Sequence, residues 1–141
     1  MTGDRVLVDA GPLVALFSAK DKAHPQCSDV MEALPRAPTT CWPVITEAAW
    51  LLRHRQDWVD ALLRAVEQGF IELCVLDAND VSEIRGLLTR FESLRPQFAD
   101  ACLVHLAERE GIDTIFTLDR RDFSIYRTKR GKSFRLLPKT S

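Results

Sequence analysis

The sequence predicts an α/β fold in which a parallel sheet is covered by helices on both faces. Short apolar runs alternate with longer helical patterns along the chain. The first run, residues 6–8, is uniformly apolar, as in a strand buried on both faces. Gly11 and Pro12 then end this strand and open a helix, because proline suits the first helical turn. Ligands of such sheets bind beyond the carboxyl ends of the strands, so we expect the functional site there.

The remaining elements follow from caps, breakers and apolar periodicity. Further strands are predicted at residues 39–41, 70–76, 114–118 and 134–137. Further helices are predicted at residues 21–34, 47–54, 57–68, 79–94 and 96–110. Asp21 and Thr46 are the predicted caps of two of these helices, and Gly69 and Gly111 are predicted to end two others. Since no repeat or Gly/Ser-rich linker interrupts the pattern, we expect a single domain over residues 1–141.

Composition excludes several classes of protein. The chain has 141 residues, of which 46% are hydrophobic and 28% charged, and its mean hydropathy is close to zero. These values fit a compact domain with a real core and exclude a disordered chain. No apolar run approaches the roughly 20 residues that cross a bilayer, and the first residues lack the pattern of a signal peptide. We therefore expect a cytoplasmic protein without a membrane partner.

Neither the four cysteines nor the three histidines have the spacing of zinc ligands. Without a secretory signal, a disulfide framework is not expected either. We expect reduced thiols that are mostly buried as small apolar groups. The residues concerned are Cys27, Cys41, Cys74, Cys102, His24, His54 and His105.

Charge is distributed unevenly although the net charge is only −1. Residues 119–141 contain eight basic and two acidic residues, a local charge of +6, whereas residues 1–118 contain eleven basic and eighteen acidic residues, a balance of −7. An acidic body with a basic edge suits a metal site beside a polyanion. A solvated basic tail explains the same charges, and both interpretations stay open on charge alone.

Four acids stand at positions that suit a functional site. Asp9 and Asp119 each follow a predicted strand, where an acid can also serve as a turn or cap residue. Glu47 is predicted near the first turn of an otherwise apolar helix, where its negative charge would interact favourably with the helix dipole. Asp100 is predicted in the second turn of its helix, too far in to cap it. Because an unpaired buried carboxylate is costly, Asp100 should have a cation or donor groups beside it.

The ordered set of motifs resembles the PIN-domain family and, within it, the VapC-type toxins. These motifs are VLVDAGPLVAL at residues 6–16, ITEAAWLL at 45–52, FADACLV at 98–104 and IFTLDRRDF at 115–123. The resemblance implies a three-layer α/β/α sandwich around a parallel five-stranded sheet, with Asp9, Glu47, Asp100 and Asp119 converging at one end. Asp122 matches an acid that sometimes assists. Many relatives have a hydroxyl residue where this chain has Ala10, and the candidates to replace that hydroxyl are Thr46 and Thr117.

Four neighbouring carboxylates would repel one another, and hard divalent cations such as Mg²⁺ or Mn²⁺ would relieve that repulsion. We expect Asp9, Asp100 and Asp119 to hold the metal, while Glu47 ligates it or orients the attacking water. The resemblance implies an endoribonuclease that leaves a 5′-phosphate and a 3′-hydroxyl, an antitoxin that masks the site, and a homodimer. The basic residues expected to meet the RNA backbone are Arg120, Arg121, Arg127, Lys129, Arg130 and Lys132.

Three other functions remain open at this point. A phosphotransfer enzyme with Asp9 as nucleophile usually needs a second aspartate two residues later, where this chain has Gly11. A PIN-like module that binds RNA or protein without catalysis is disfavoured by the four acids. A DNA-directed nuclease shares the metal chemistry, and no residue reads a 2′-hydroxyl. The three tryptophans, Trp42, Trp50 and Trp58, fit base stacking, the core or a dimer interface.

Overall fold

The computed structural model describes residues 4–140 and contains one five-stranded sheet in which every strand pair is parallel. The strands are β1 (Leu7–Val8), β2 (Thr39–Thr40), β3 (Glu72–Leu73), β4 (Thr114–Phe116) and β5 (Arg135–Leu137). Their order across the sheet is β3-β2-β1-β4-β5. Strands β2 and β3 therefore lie on one side of β1, whereas β4 and β5 lie on the other. The strand order reverses between β1 and β4, which lie side by side. This is the switch point beyond which ligands bind in open parallel sheets.

Seven α-helices within residues 4–140 cover the sheet and form the two outer layers. They are α1 (Ala10–Phe17), α2 (His24–Ala33), α3 (Trp42–Leu51), α4 (Gln56–Glu67), α5 (Val81–Arg90), α6 (Phe98–Glu110) and α7 (Arg120–Phe123). Helix α1 contacts α2, α3 and α4, whereas α5 packs on α6. Because crossovers between parallel strands are right-handed, the helices before β3 and those after it cover opposite faces. The predicted α/β/α sandwich with a five-stranded parallel sheet is confirmed.

Helix α6 has the longest buried run of the described helices, because every residue from 99 to 107 is buried. It ends as predicted at Gly111, whose φ of 68° suits the left-handed end of a helix. Cys27, Cys41 and Cys102 are buried, as expected, and Cys74 is partly exposed. Within residues 4–140, none of the helices is long and apolar enough to cross a membrane.

Two predicted helix starts are wrong, and both affect site residues. Helix α3 begins at Trp42 rather than Glu47, so Thr46 is not its cap but donates through Oγ1 to the carbonyl of Trp42. Glu47 consequently lies in the second turn of its helix. Helix α6 begins at Phe98, two residues after Pro96, because Gln97 still has extended backbone geometry. Asp100 therefore lies in the first turn and not in the second.

Other boundaries differ in smaller ways. Asp21 does not cap α2, because its carboxylate accepts from the backbone N–H of Ala23 and closes a turn before the helix begins at His24. The predicted helix over residues 79–94 is divided into a 3-10 turn (Ala78–Asp80), α5 and a second 3-10 turn (Glu92–Leu94). Strands β3 and β4 are shorter than predicted, and helix α7 was not predicted.

Candidate functional site

A cavity of about 430 Å³ lies at the carboxyl ends of the central strands. Asp9 directly follows β1, and its backbone N–H donates to the carbonyl of Phe116 at the end of β4. The structure brings all four acids of the predicted quartet to this cavity, and Asp122 with them. The residues that line it are Asp9, Ala10, Gly11, Glu47, Leu51, Arg95, Gln97, Asp100, Leu118, Asp119 and Asp122.

Asp9 is both a helix cap and a member of the acidic cavity. Its Oδ1 accepts from the backbone N–H of Ala10 at 2.8 Å, and its Oδ2 accepts from Thr117 Oγ1 at 2.9 Å. Burial raises the pKa of Asp9 and the charge of Asp119 adds to the rise, while both hydrogen bonds oppose it. Thr117 therefore supplies the Asp9 carboxylate with a hydroxyl, which Ala10 lacks.

Three carboxylates approach one another as metal ligands would. One oxygen from each of Asp100, Asp119 and Asp122 lies within 4.8 Å of the others. Asp100 is buried, Asp122 is half-buried and Asp119 is exposed. Asp119 caps α7 by accepting from the backbone N–H of Asp122 at 3.1 Å, so this short helix places the two acids side by side. Asp122, predicted only as an auxiliary acid, thus belongs to the closest group.

The carboxyl group of Asp100 has a strongly raised pKa. Burial, followed by the charges of Asp9, Asp119 and Glu47, raises its pKa to about 7. A hydrogen bond of 3.3 Å from Tyr126 Oη to Asp100 Oδ2 opposes that rise. Sequence reasoning missed Tyr126, whose side chain is buried.

The ring of Tyr126 is fixed by two aromatic neighbours. It makes edge-on contacts with Phe91 and Phe123, at centroid distances of 5.2 Å and 5.1 Å. These contacts hold the tyrosine hydroxyl within hydrogen-bond distance of the Asp100 carboxylate.

Glu47 is paired with a residue that sequence reasoning also missed. With the amide NH₂ of Gln97 turned toward Glu47, the amide nitrogen lies 2.6 Å from Oε1 and 3.2 Å from Oε2. Gln97 immediately precedes α6, so this contact joins the start of α6 to α3 across the cavity. Burial and the charge of Asp9 raise the pKa of Glu47.

The donor set fits a hard divalent cation. Every titratable side chain that lines the cavity, apart from Arg95, is a carboxylate, and oxygen is the ligand that Mg²⁺ and Mn²⁺ prefer. The cysteines and histidines of the described residues do not line it. His105 instead pairs with Asp80 at 2.7 Å, outside this cavity. A cation would also relieve the repulsion that raises the pKa of Asp100.

Residues 6–129 match the family model described as PIN domain. The chain belongs to the PIN-domain family. It is 31% identical to Ribonuclease VapC26 of Mycobacterium tuberculosis over 135 residues, which are 94% of this chain and 100% of the relative. The resemblance to VapC-type proteins is therefore confirmed.

Solved structures show the same fold. Mycobacterium tuberculosis VapC20, described as a sarcin-ricin loop cleaving toxin, matches with a TM-score of 0.76 and 19% identity over 82% of this chain and 91% of that one. Rickettsia felis VapBC2, described as bound to a DNA fragment from its promoter, matches with a TM-score of 0.63 and 14% identity over 94% of this chain and 96% of that one.

The basic residues expected to meet RNA are dispersed over the surface of this PIN domain. Arg120 donates to the carbonyl of Pro138 and lines a second cavity of about 450 Å³, which shares Leu118 with the acidic one. Arg127 donates to backbone carbonyls of its own segment, and Arg121 is exposed. The remaining three line cavities whose walls contain none of the quartet: Lys129, Arg130 and Lys132.

Two further groups of candidates lie outside the acidic cavity. Thr46 is exposed on α3 and bonds within its own helix. Trp42 and Trp50 are exposed on the same helix, with the Arg53 guanidinium 3.9 Å from the centroid of the Trp50 ring. Trp58 is half-buried against the core. The PIN domain therefore leaves two tryptophans of α3 free for contacts.

Proposed function

We propose that this PIN domain is a metal-dependent endoribonuclease, the toxin of a type II toxin–antitoxin pair. The observation that carries the proposal is the convergence of carboxylate oxygens from Asp100, Asp119 and Asp122 beside Asp9 and Glu47 in one cavity. The 31% identical relative is named a ribonuclease, which favours RNA as the substrate. A family match over residues 6–129 supports a single domain over the whole chain.

The acids have distinct positions and therefore distinct proposed roles. Asp100, Asp119 and Asp122 would hold Mg²⁺ or Mn²⁺, which when bound polarises a phosphodiester oxygen and lowers the pKa of water. Asp9 is fixed by hydrogen bonds from the backbone of Ala10 and from Thr117. It would add negative charge beside the cation, and its oxygens retain lone pairs that could bind the same cation.

Glu47 is the proposed proton acceptor of the reaction. Its carboxylate faces the cavity and is oriented by the Gln97 amide. Burial raises its pKa, which makes Glu47 a better base than an exposed carboxylate and suits it to take a proton from the attacking water. Hydrolysis by that water would leave a 5′-phosphate and a 3′-hydroxyl.

Two kinds of partner belong to the proposal. A cognate antitoxin would mask the acidic cavity, and the fold shared with the Rickettsia felis VapBC2 structure supports such a partner. A homodimer is also proposed, and the exposed tryptophans on α3 suit an interface between copies.

The test compares RNA and DNA of the same sequences as substrates. Purified, antitoxin-free protein is incubated with a pool of structured RNA and with the matching DNA, in Mg²⁺, in Mn²⁺ and in chelator. We expect metal-dependent cleavage of RNA that Asp9→Asn and Asp100→Asn abolish. The matched control is Asp29→Asn, which removes one negative charge from an exposed position of α2.

Three results would overturn the proposal. Cleavage that survives both substitutions would exclude the acidic cavity as the site. Cleavage of DNA but not of RNA would identify a DNA-directed nuclease. A folded protein that binds the metal and RNA but cleaves neither nucleic acid would identify a binding module.

A further inference from the structure

One basic side chain shares the acidic cavity. Arg95 lines the cavity together with five carboxylates. Within residues 4–140, no other basic residue lines it. It lies between the 3-10 turn that follows α5 and Pro96, which leads into α6. Its side chain is exposed, so a ligand that enters the cavity can reach it.

The backbone of Arg95 adopts a conformation that L residues disfavour. Its φ is 50° and its ψ is 56°, in the left-handed region. The other positive φ angles within residues 4–140 belong to glycines, at Gly69, Gly111 and Gly131. A glycine at position 95 would relieve the strain but would remove the guanidinium from the cavity wall. Strained residues of this kind concentrate at functional sites.

Among the described residues, the Arg95 side chain is unpaired although acids line the same cavity. Within residues 4–140, its guanidinium makes no ion pair and no side-chain hydrogen bond, although five carboxylates line the same cavity. Arginines elsewhere in the fold do pair with carboxylates, namely Arg5, Arg36, Arg55, Arg64 and Arg109. The donors of Arg95 are therefore available to an anion that arrives from outside.

We propose that Arg95 binds a non-bridging oxygen of the RNA phosphate at or next to the cleaved bond. The inference rests on the proposed function, because it assigns the substrate contact of the same cavity. A polyanion must approach a cavity lined by carboxylates, and a cation held by those acids offsets only part of their charge. The planar guanidinium offers paired N–H donors that match a phosphate group. Arg95 thus holds the phosphate at the rim while the carboxylates act below it.

The test measures binding rather than cleavage. Asp100→Asn serves as the parent, so that the probe, a fluorescein-labelled 20-nucleotide RNA of random sequence, stays intact in Mg²⁺. Its affinity is measured by fluorescence anisotropy over a range of NaCl concentrations. Loss of one phosphate contact to single-stranded RNA should make the slope of log affinity against log salt shallower by about 0.7.

We expect that shallower slope for Arg95→Gln, together with a several-fold weaker affinity at low salt. Arg95→Lys should retain the slope because it keeps the charge. The matched control, Arg85→Gln, removes a guanidinium that is also exposed, from α5 outside the cavity, and should leave the slope unchanged. Equal slopes for Arg95→Gln and Arg85→Gln would overturn the inference. So would tighter Mg²⁺ binding when Arg95→Gln is made in the unsubstituted protein, together with an unchanged slope in the Asp100→Asn parent, which would identify Arg95 as a counter-ion of the acids.

A second variant separates the contact from the fold. Arg95→Gly relieves the left-handed backbone, so it should melt at or above the temperature of the parent and still show the shallower slope. A lower melting temperature with an unchanged slope would assign Arg95 a structural role. Because binding is the readout, the absence of metal-dependent cleavage by the unsubstituted protein would overturn the proposed function without deciding the role of Arg95.

Discussion

The hydroxyl of Thr117 donates a 2.9 Å hydrogen bond to Asp9 Oδ2 and so joins the carboxyl ends of β4 and β1. Thr117 Oγ1 also accepts a hydrogen bond of 3.0 Å from the backbone N–H of Asp119. Thr117 is fully buried, so water cannot replace either bond. One side chain therefore fixes two acids of the cavity relative to each other, in a chain that has Ala10 in place of the expected hydroxyl residue.

Replacing Thr117 by valine keeps the shape of the side chain and removes both hydrogen bonds. Asp9 Oδ2 and the N–H of Asp119 then lose a partner, so we expect the free energy of unfolding to fall by about 1–3 kcal/mol. Metal affinity should fall as well, because Asp9 and Asp119 are no longer held. Urea denaturation and Mn²⁺ titration measure the two effects. Thr117→Ser, which retains the hydroxyl, is the control, and Thr117→Val with unchanged stability and metal affinity would refute the role.

Asp100→Asn should stabilise the metal-free protein. The substitution removes one charge from a site where Asp9, Asp119 and Glu47 repel it. We expect a gain of about 1 kcal/mol at pH 7.5, which raises the melting temperature by roughly 3 °C for a chain of this length. The unsubstituted protein should gain about 2.7 kcal/mol when the metal is at a hundredfold excess over its Kd, whereas the variant should not. A variant less stable than its parent without metal would contradict a mutually repelling cluster.

Local patterns predicted the elements that local physics determines. The apolar strand before Asp9 and the glycine ends of α4 and α6 were predicted correctly. A helix with Pro12 in its first turn was also predicted correctly, but it begins at Ala10, so Gly11 lies inside the helix and does not end the strand. The start of α3 was missed because Thr46 resembled a cap. Pro43, in the first turn of that helix, was the better signal of where it begins.

The contacts that fix the acids could not be predicted in this way. Gln97 meets Glu47, and Tyr126 meets Asp100, only because α6 packs between α3 and the segment after β4. No spacing in the sequence encodes such contacts between distant residues. The position of Asp122 beside Asp119 is local, since α7 creates it, but a four-residue helix leaves little periodicity to detect.

Stability without metal should fall as the pH rises from 5 to 8. Asp100 has a pKa of about 7 in the folded protein, above the value of about 3.9 for an unfolded aspartate. Between those values the folded state holds a proton that the unfolded state has lost, so raising the pH favours unfolding. The full shift is worth about 4 kcal/mol, of which about 2.7 kcal/mol falls above pH 5. Solvent screening at the open cavity reduces the expected loss between pH 5 and pH 8 to about 2 kcal/mol.

Urea denaturation at several pH values in chelator measures this loss. Asp100→Asn lacks the titrating group and should show a flatter profile, as should the unsubstituted protein in saturating Mg²⁺. Stability that instead rises between pH 5 and pH 8 without metal would contradict a protonated Asp100 in the folded state.

Tyr126→Phe should weaken metal binding without removing a ligand. The Tyr126 hydroxyl favours the ionised form of Asp100, so its loss should raise the pKa of Asp100 further. At pH 7 the metal then competes with a more firmly held proton, and we expect a several-fold weaker affinity that recovers at pH 8.5. Mn²⁺ titrations at both pH values provide the measurement. An affinity loss of equal size at the two pH values would indicate a steric effect instead.

We propose that the carboxylate cavity cleaves RNA only when it holds a divalent cation. A single time course tests it most directly: cleavage of a structured-RNA pool is started in Mg²⁺, stopped with chelator and restarted with excess Mg²⁺, with Asp100→Asn in parallel. We predict cleavage that halts, resumes at its earlier rate and is absent throughout in Asp100→Asn. Cleavage that continues in chelator, or proceeds in the variant at the rate of the unsubstituted protein, would contradict metal-dependent cleavage by this cavity.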